Sequence, residues 1–220
     1  MAELRSVSWG PAAGPAKGLV VLCHGVGADG RDLIGLAPHW GSALPQLAFT
    51  APDAPEPYAQ APMGRQWYDL ADRTPARMEA GAARARPLLD AFVDAELARL
   101  GLPPDAYALM GFSQGAMMAL YAGLRRAVAP RAILAFSGAL LAPGRLAEQR
   151  TNAAPVLLVH GEADDVVPAA RSRDAEQALR AEGVSVESVF RPGLGHSIDD
   201  AGLAVGAAFL QRAFAESLKP

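Results

Sequence analysis

The chain has 220 residues, 51% of them hydrophobic and 20% charged, with a formal net charge of -3 and a sequence pI of about 5.8. That length suits one domain, residues 1–220, with a full core, and the charge balance excludes a surface built to bind nucleic-acid phosphates. The sequence does not open with a basic segment and apolar run, later apolar runs stay short of the roughly 18 residues of a membrane span, and the single cysteine, Cys23, excludes an internal disulfide or a multi-cysteine metal site, so a cytoplasmic protein with small-molecule or protein partners is expected.

Glu3 to Trp9 reads as an edge strand and Gly10 to Lys17 as a turn or hairpin connection. Gly18 to Cys23 is a continuous apolar run suited to a parallel sheet covered on both faces, and it places Cys23 as a buried structural thiol. A glycine-rich segment, His24 to Gly30, leads into a helix expected over Arg31 to Ala43. Leu47 to Thr50 is a short strand, and Ala51 to Pro75 is a long, proline-rich irregular stretch of the kind that is usually functional or mobile. Glu79 to Leu100 carries apolar residues at helical spacing and stops at Gly101. Tyr107 to Gly111 then suits a buried strand and Ala116 to Leu124 a buried helix. Strands follow within Arg131 to Ser137 and Pro155 to His160, a helix over Pro168 to Glu182, a strand over Ser185 to Phe190 and a closing helix over Asp199 to Leu218. The alternation implies an α/β domain with a mostly parallel central sheet and helices on both faces. The short connection between Ser137 and Pro155 leaves no room for a large helical cap, so a minimal lid is expected.

Between the strand at Tyr107 and the helix at Ala116 lies Gly111-Phe112-Ser113-Gln114-Gly115, which is Gly-x-Ser-x-Gly in a strand-turn-helix setting. A serine held on so sharp a turn leaves room for little more than hydrogen two positions before and after it. The competing reading is a glycine-rich turn with an incidental serine, and the rest of the chain decides between them. A nucleophile elbow needs an acid and then a histidine later in the chain. His24 and His39 precede Ser113, and His160 ends a strand ahead of the acids that follow it, which leaves His196 in the glycine-flanked loop Pro192 to Ser197. Three carboxylates compete for the acid, Glu162, Asp164 and Asp165, and a turn starting at Gly161 favours Asp164. In these roles His196 is the general base for Ser113, and Asp164 holds the imidazole tautomer. The oxyanion donors fall to the backbone N–H of Gln114 and of Val26.

Gly25-Val26-Gly27-Ala28-Asp29-Gly30 also satisfies Gly-x-Gly-x-x-Gly after a strand, with Asp53 about 20 residues on, as a dinucleotide site does. That alternative leaves the elbow, Asp164 and His196 unexplained. Neither a P-loop ending nor a His-Glu-x-x-His zinc motif is present, so no cofactor and no metal are expected.

His24 to Gly27 with Asp29-Gly30, Trp67-Tyr68-Asp69, Gly111 to Ala116, His160-Gly161 with Asp164 and Val167-Pro168, and Gly195-His196 together resemble the phospholipase/carboxylesterase family of α/β-hydrolases, from about Leu19 to the C-terminal helix. That family includes bacterial carboxylesterases and eukaryotic acyl-protein thioesterases. The resemblance implies a compact cytosolic serine hydrolase of carboxylic esters or thioesters, often a homodimer, and the short apolar runs noted above predict no membrane insertion. By position it carries over the same triad, Ser113, Asp164 and His196, and the same donors, Val26 and Gln114. Val26 stands where leucine is common, Glu162 where aspartate is frequent, and Arg65 and Gln66 are more polar than expected before Trp67. Met63, Trp67, Leu140 and Leu141 are candidates for an apolar acyl groove; the alternative is that Trp67 and Leu140 pack their loops onto the sheet.

Overall fold

The computed structural model describes residues 4–218. A seven-stranded sheet runs through it in the order β1 (Ser6–Trp9), β3 (Leu47–Pro52), β2 (Gly18–Cys23), β6 (Tyr107–Phe112), β7 (Ala132–Phe136), β8 (Val156–Gly161), β9 (Val186–Arg191). Every neighbouring pair is parallel except β1 with β3. The expected first strand therefore begins at Ser6, and its first residue, Glu3, lies outside the described residues.

Two-residue alternation divides the buried strand side chains between two apolar layers. Leu19, Val21, Leu109, Ile133 and Leu158 meet α3 (Pro75–Leu100), α4 (Gln114–Gly123) and α6 (Ala170–Ala181) on one face. Val20, Leu22, Met110, Leu134 and Leu157 meet α1 (Gly30–Ile34), α2 (Ala37–Ala43) and α7 (Asp200–Ala213) on the other. The mostly parallel sheet with helices on both faces is the anticipated architecture. Across the second layer the Trp40 indole donates to the Leu203 carbonyl at 2.9 Å, tying α2 to α7.

Three local expectations are corrected. The helix expected over Arg31 to Ala43 is two helices, because Pro38 lacks an N–H and restarts the helix at Ala37. The stretch Ala51 to Pro75 is far from irregular. It completes β3, forms a small hairpin of β4 (Glu56–Pro57) and β5 (Arg65–Gln66), and sends Trp67 and Tyr68 fully into the core. Its last residue starts α3, four residues earlier than the periodicity suggested, since proline fits a first helical turn. The connection from β7 to β8 holds only a 3₁₀ turn, Pro143–Arg145, and α5 (Leu146–Gln149). No helix among the described residues is long and apolar enough to cross a membrane.

Candidate active site

Because β2, β6, β8 and β9 are parallel, the loops that follow them emerge along one edge, where open α/β sheets bind ligands. Ser113 comes directly after β6, at φ 55° and ψ -119°, a backbone conformation that costs a non-glycine residue of order 1–3 kcal/mol. The turn is fixed by a hydrogen bond from the Ser113 N–H to the Phe136 carbonyl at 2.9 Å. Its two glycines have no space for a side chain. A Cβ on Gly111 would sit 2.2 Å from the Gly115 carbonyl oxygen, and one on Gly115 would sit 1.9 Å from the Cys23 carbonyl oxygen. The second approach presses the start of α4 against the end of β2. The Gly25 Cβ position is 3.4 Å from the Ser113 Cβ, so the loop carrying Val26 borders the serine.

His196 and Asp164 are joined by the interlocking of two loops. The Glu162 and Ala163 amides donate to the Arg191 and Leu194 carbonyls, each at 2.9 Å, and Gly161 leaves space that a Cβ would take from the Leu194 and Gly195 backbone. As a result His196 Nδ1 lies 2.7 Å from Asp164 Oδ2. Asp164 Oδ1 accepts the Val166 and Val167 amides at 2.9 and 2.8 Å. Burial acts to raise the Asp164 carboxyl, yet the bonds from His196 and from the Val167 and Val166 amides outweigh it and hold the group below the ordinary aspartate value. The His196 ring packs on Phe112, immediately before the serine, with ring centroids 4.7 Å apart. Of the competing carboxylates, Asp165 is exposed and Glu162 pairs with Arg173.

The His24 to Gly30 loop is held by its neighbours. The Ala54 N–H donates to His24 Nε2 at 3.0 Å, so Nδ1 carries the ring proton and donates to the Gly25 carbonyl at 2.7 Å. Burial lowers the His24 pKa, in keeping with that neutral ring. Gly27 and Ala28 exchange backbone hydrogen bonds with Arg65, whose guanidinium also donates to the Ala54 and Pro55 carbonyls. The backbone at position 65 thus fastens the hairpin to the glycine-rich loop, while the guanidinium ties it to the segment after β3. Asp53, the acid of the dinucleotide alternative, accepts the Gly30 N–H at 3.0 Å, where a Cβ would be 2.2 Å from the Ala51 carbonyl oxygen.

The four candidate groove residues separate. Trp67 is fully buried with its indole donating to the His24 carbonyl at 3.0 Å, and Leu140 and Leu141 join the core, so these three pack their segments. Met63 is 72% exposed and, with Gly27, Ala28, Asp29, Asp32, Ala61, Pro62 and Gly64, lines an open cavity of about 480 Å³ beside the glycine-rich loop. Two contributions escaped the sequence reading. The Gln114 side chain accepts the Trp67 N–H at 2.9 Å and donates to the Tyr68 carbonyl at 2.7 Å, while His160 stands beside Asp164. Gln114 was singled out for its backbone alone, and no local pattern announces a side-chain clamp to a residue 47 positions away. Cys23 is buried, and burial pushes its thiol far up, so it is chemically quiet.

The sequence profile described as Phospholipase/Carboxylesterase matches residues 10–213. The chain is 31% identical over 187 residues to Esterase YpfH of Escherichia coli (strain K12), covering 84% of this chain and 78% of that protein. It is 28% identical over 204 residues to Acyl-protein thioesterase 1 of Neurospora crassa, covering 85% and 83%. The crystal structure of esterase PE8 superposes with a TM-score of 0.92 at 42% identity, over 96% of this chain and all of that one.

Proposed function

The chain belongs to the phospholipase/carboxylesterase family of α/β-hydrolases and is a carboxylic ester hydrolase; from that premise we propose that it works as a single domain through a Ser113-His196-Asp164 triad and an acyl-enzyme. The observation that carries this reading is the 2.7 Å pairing of Asp164 with a histidine whose ring lies against the residue preceding a strained serine. His196 takes the Ser113 proton, and the serine oxygen attacks the ester carbonyl. The backbone N–H groups of Val26 and Gln114 receive the oxyanion, each contributing about 3 to 4 kcal/mol to the transition state. The imidazolium, oriented by Asp164, then protonates the leaving alcohol or thiol, and water releases the acid by the same steps. With Trp67, Leu140 and Leu141 turned into the core, the apolar walls beside the oxyanion loop are the half-buried Ala28 and Ala61 and the exposed Pro62 and Met63. That open, shallow face suits small esters or thioesters with short to medium acyl chains.

The test is hydrolysis of p-nitrophenyl esters from acetate to palmitate, alongside an acyl-thioester, by the native protein and Ser113→Ala. Turnover should peak at the shorter chains and fall by about 10⁴-fold or more in the variant. A fluorophosphonate should label the native protein and leave the variant untouched. Equal turnover by both proteins rejects the serine mechanism, and an optimum at palmitate rejects the short-acyl reading.

A further inference from the structure

His160 is a buried imidazole with no step of its own in this mechanism. It is the last residue but one of β8, its side chain is fully buried, and Nε2 lies 3.2 Å from Asp164 Oδ2, the oxygen that His196 Nδ1 approaches at 2.7 Å. Nε2 is also 2.7 Å from the Val167 carbonyl oxygen, and Nδ1 is 2.7 Å from Ser172 Oγ, in the first turn of α6. Ser172 Oγ is in turn 3.3 Å from the Gly138 carbonyl oxygen, on the segment that leaves β7.

The protons can be placed from these distances. Nε2 faces two oxygens that only accept, so it must carry a hydrogen, and the ring's Nδ1 is then the acceptor of the neutral tautomer. The Ser172 hydroxyl has one proton, which goes to Nδ1 at 2.7 Å in preference to the carbonyl at 3.3 Å. The Nε2–H is thereby donated to Val167 with its positive end beside the carboxylate oxygen that serves His196. Among the described residues, the Val166 and Val167 amides donate to Oδ1, the loop after β9 brings His196 and β8 brings His160, while on α6 Ser172 bonds the His160 ring and Arg173 is paired with Glu162, and Asp165 is exposed.

We propose that His160 is a positioning residue for the hydrolysis: a second imidazole, aligned by Ser172, that holds Asp164 in place and draws charge from the oxygen it shares with His196. This rests on the triad reading above. The consequence has a sign. A donor beside Oδ2 weakens the grip of Asp164 on the imidazolium formed during the reaction, which then yields its proton more readily to the leaving group. Without the donor, the carboxylate attracts the imidazolium more strongly, and the acid limb of kcat/KM moves to higher pH.

The experiment measures kcat, KM and the pH profile of kcat/KM for a short p-nitrophenyl ester, with the melting temperature of each protein, for His160→Phe, His160→Gln and Ser172→Ala. His160→Phe should lower kcat about tenfold with KM little changed, as expected for a displaced catalytic group, and raise the acid midpoint of kcat/KM by about half a pH unit. His160→Gln, whose amide can donate to the same oxygens, should restore most of both. Ser172→Ala keeps the ring and should give a smaller shift in the same direction, which covers the case in which His160→Phe does not fold. Variants that lose melting temperature while the acid midpoint stays put, or moves down, make His160 a structural residue and overturn the proposal. Asp164→Asn separates the two readings, because full activity in that variant removes the triad itself, whatever His160 does.

Discussion

Gly115 shows how little freedom the reactive turn has. Its hydrogen stands where a methyl group would be 1.9 Å from the Cys23 carbonyl oxygen and 2.5 Å from that of His24, and both are backbone atoms of a central strand end with nowhere to move. Gly115→Ala must therefore part the elbow from the loop that carries Val26, losing the alignment of both proposed oxyanion donors. Activity should fall by about 100-fold or more, since that is the usual effect of one lost donor, and the melting temperature should drop with it. Ala116→Gly is the control, a helix residue outside that contact, and comparable activity in the two variants would show that the close approach is unimportant. The residues of this turn were legible in the sequence because the geometry that strains Ser113 also demands the two flanking glycines, so the chemistry and its backbone requirement are written in five adjacent letters. His196, the proposed base, stands out by chain order and elimination. Asp164 was harder to read, as three carboxylates crowd one loop, and only the hydrogen bonds of the Val166 and Val167 amides and of His196 distinguish it. The pairing of His160 with that same carboxylate depends on a turn of chain folding back on a strand, which spacing alone does not specify.

At the level of elements, the departure that matters is the stretch from β3 to α3, which reads as an open loop yet buries Trp67 and Tyr68 completely. Proline and glycine advertise the absence of regular structure, and they say nothing about what the chain packs against. The anchor is the side chain of Gln114, which takes the Trp67 N–H and the Tyr68 C=O as a neighbouring strand would. Gln114→Ala leaves the backbone N–H proposed as an oxyanion donor intact but strands two buried backbone groups, at about 1–3 kcal/mol each. The variant should lose roughly 2–5 kcal/mol of stability in urea unfolding and should show raised proteolysis within residues 53–74. Unfolding like the native protein would mean that water or another group replaces the amide at no cost. The two-helix break at Pro38 is a smaller instance of the same lesson: a run of apolar residues sets the buried face, and one missing N–H decides where the helix restarts.

At the scale of the whole molecule, strand count and parallel direction follow from the alternation of elements, whereas the order in the sheet does not. Nothing in the sequence of β1 tells that it lies at the sheet edge outside β3 and pairs antiparallel with it, because the hydrogen bonds of a ladder carry no side-chain code. What the assembled fold does make predictable is its response to acid. Burial works to raise Asp164 and Asp199, but their hydrogen bonds prevail, to His196 and the loop amides in the first and to the Gly202 amide and Arg191 in the second, and both carboxyls are lowered. Asp29 is lowered chiefly by Arg31. A lowered carboxylate contributes stability above the unfolded aspartate value, about 3.9, and that contribution is lost as pH falls through the lower folded value. Asp90 runs the other way: burial raises it in spite of Arg126 and Arg86, so its contribution is present at low pH and is lost as pH rises. Asp72 is lowered as well, chiefly by the Thr74 amide, and four carboxyls against one leave the balance with acid destabilisation. Protonating the acids also exposes the repulsion among 20 Lys and Arg residues that 23 Asp and Glu offset at neutral pH. The melting temperature should therefore hold between about pH 8 and 5 and fall steeply below about pH 4. Asp199→Asn keeps an acceptor for the Gly202 amide while removing the charge, so it should cost stability at pH 7 and flatten the acid decline. A native protein that melts progressively lower from pH 8 to 5 would instead place the sensitive group among the histidines.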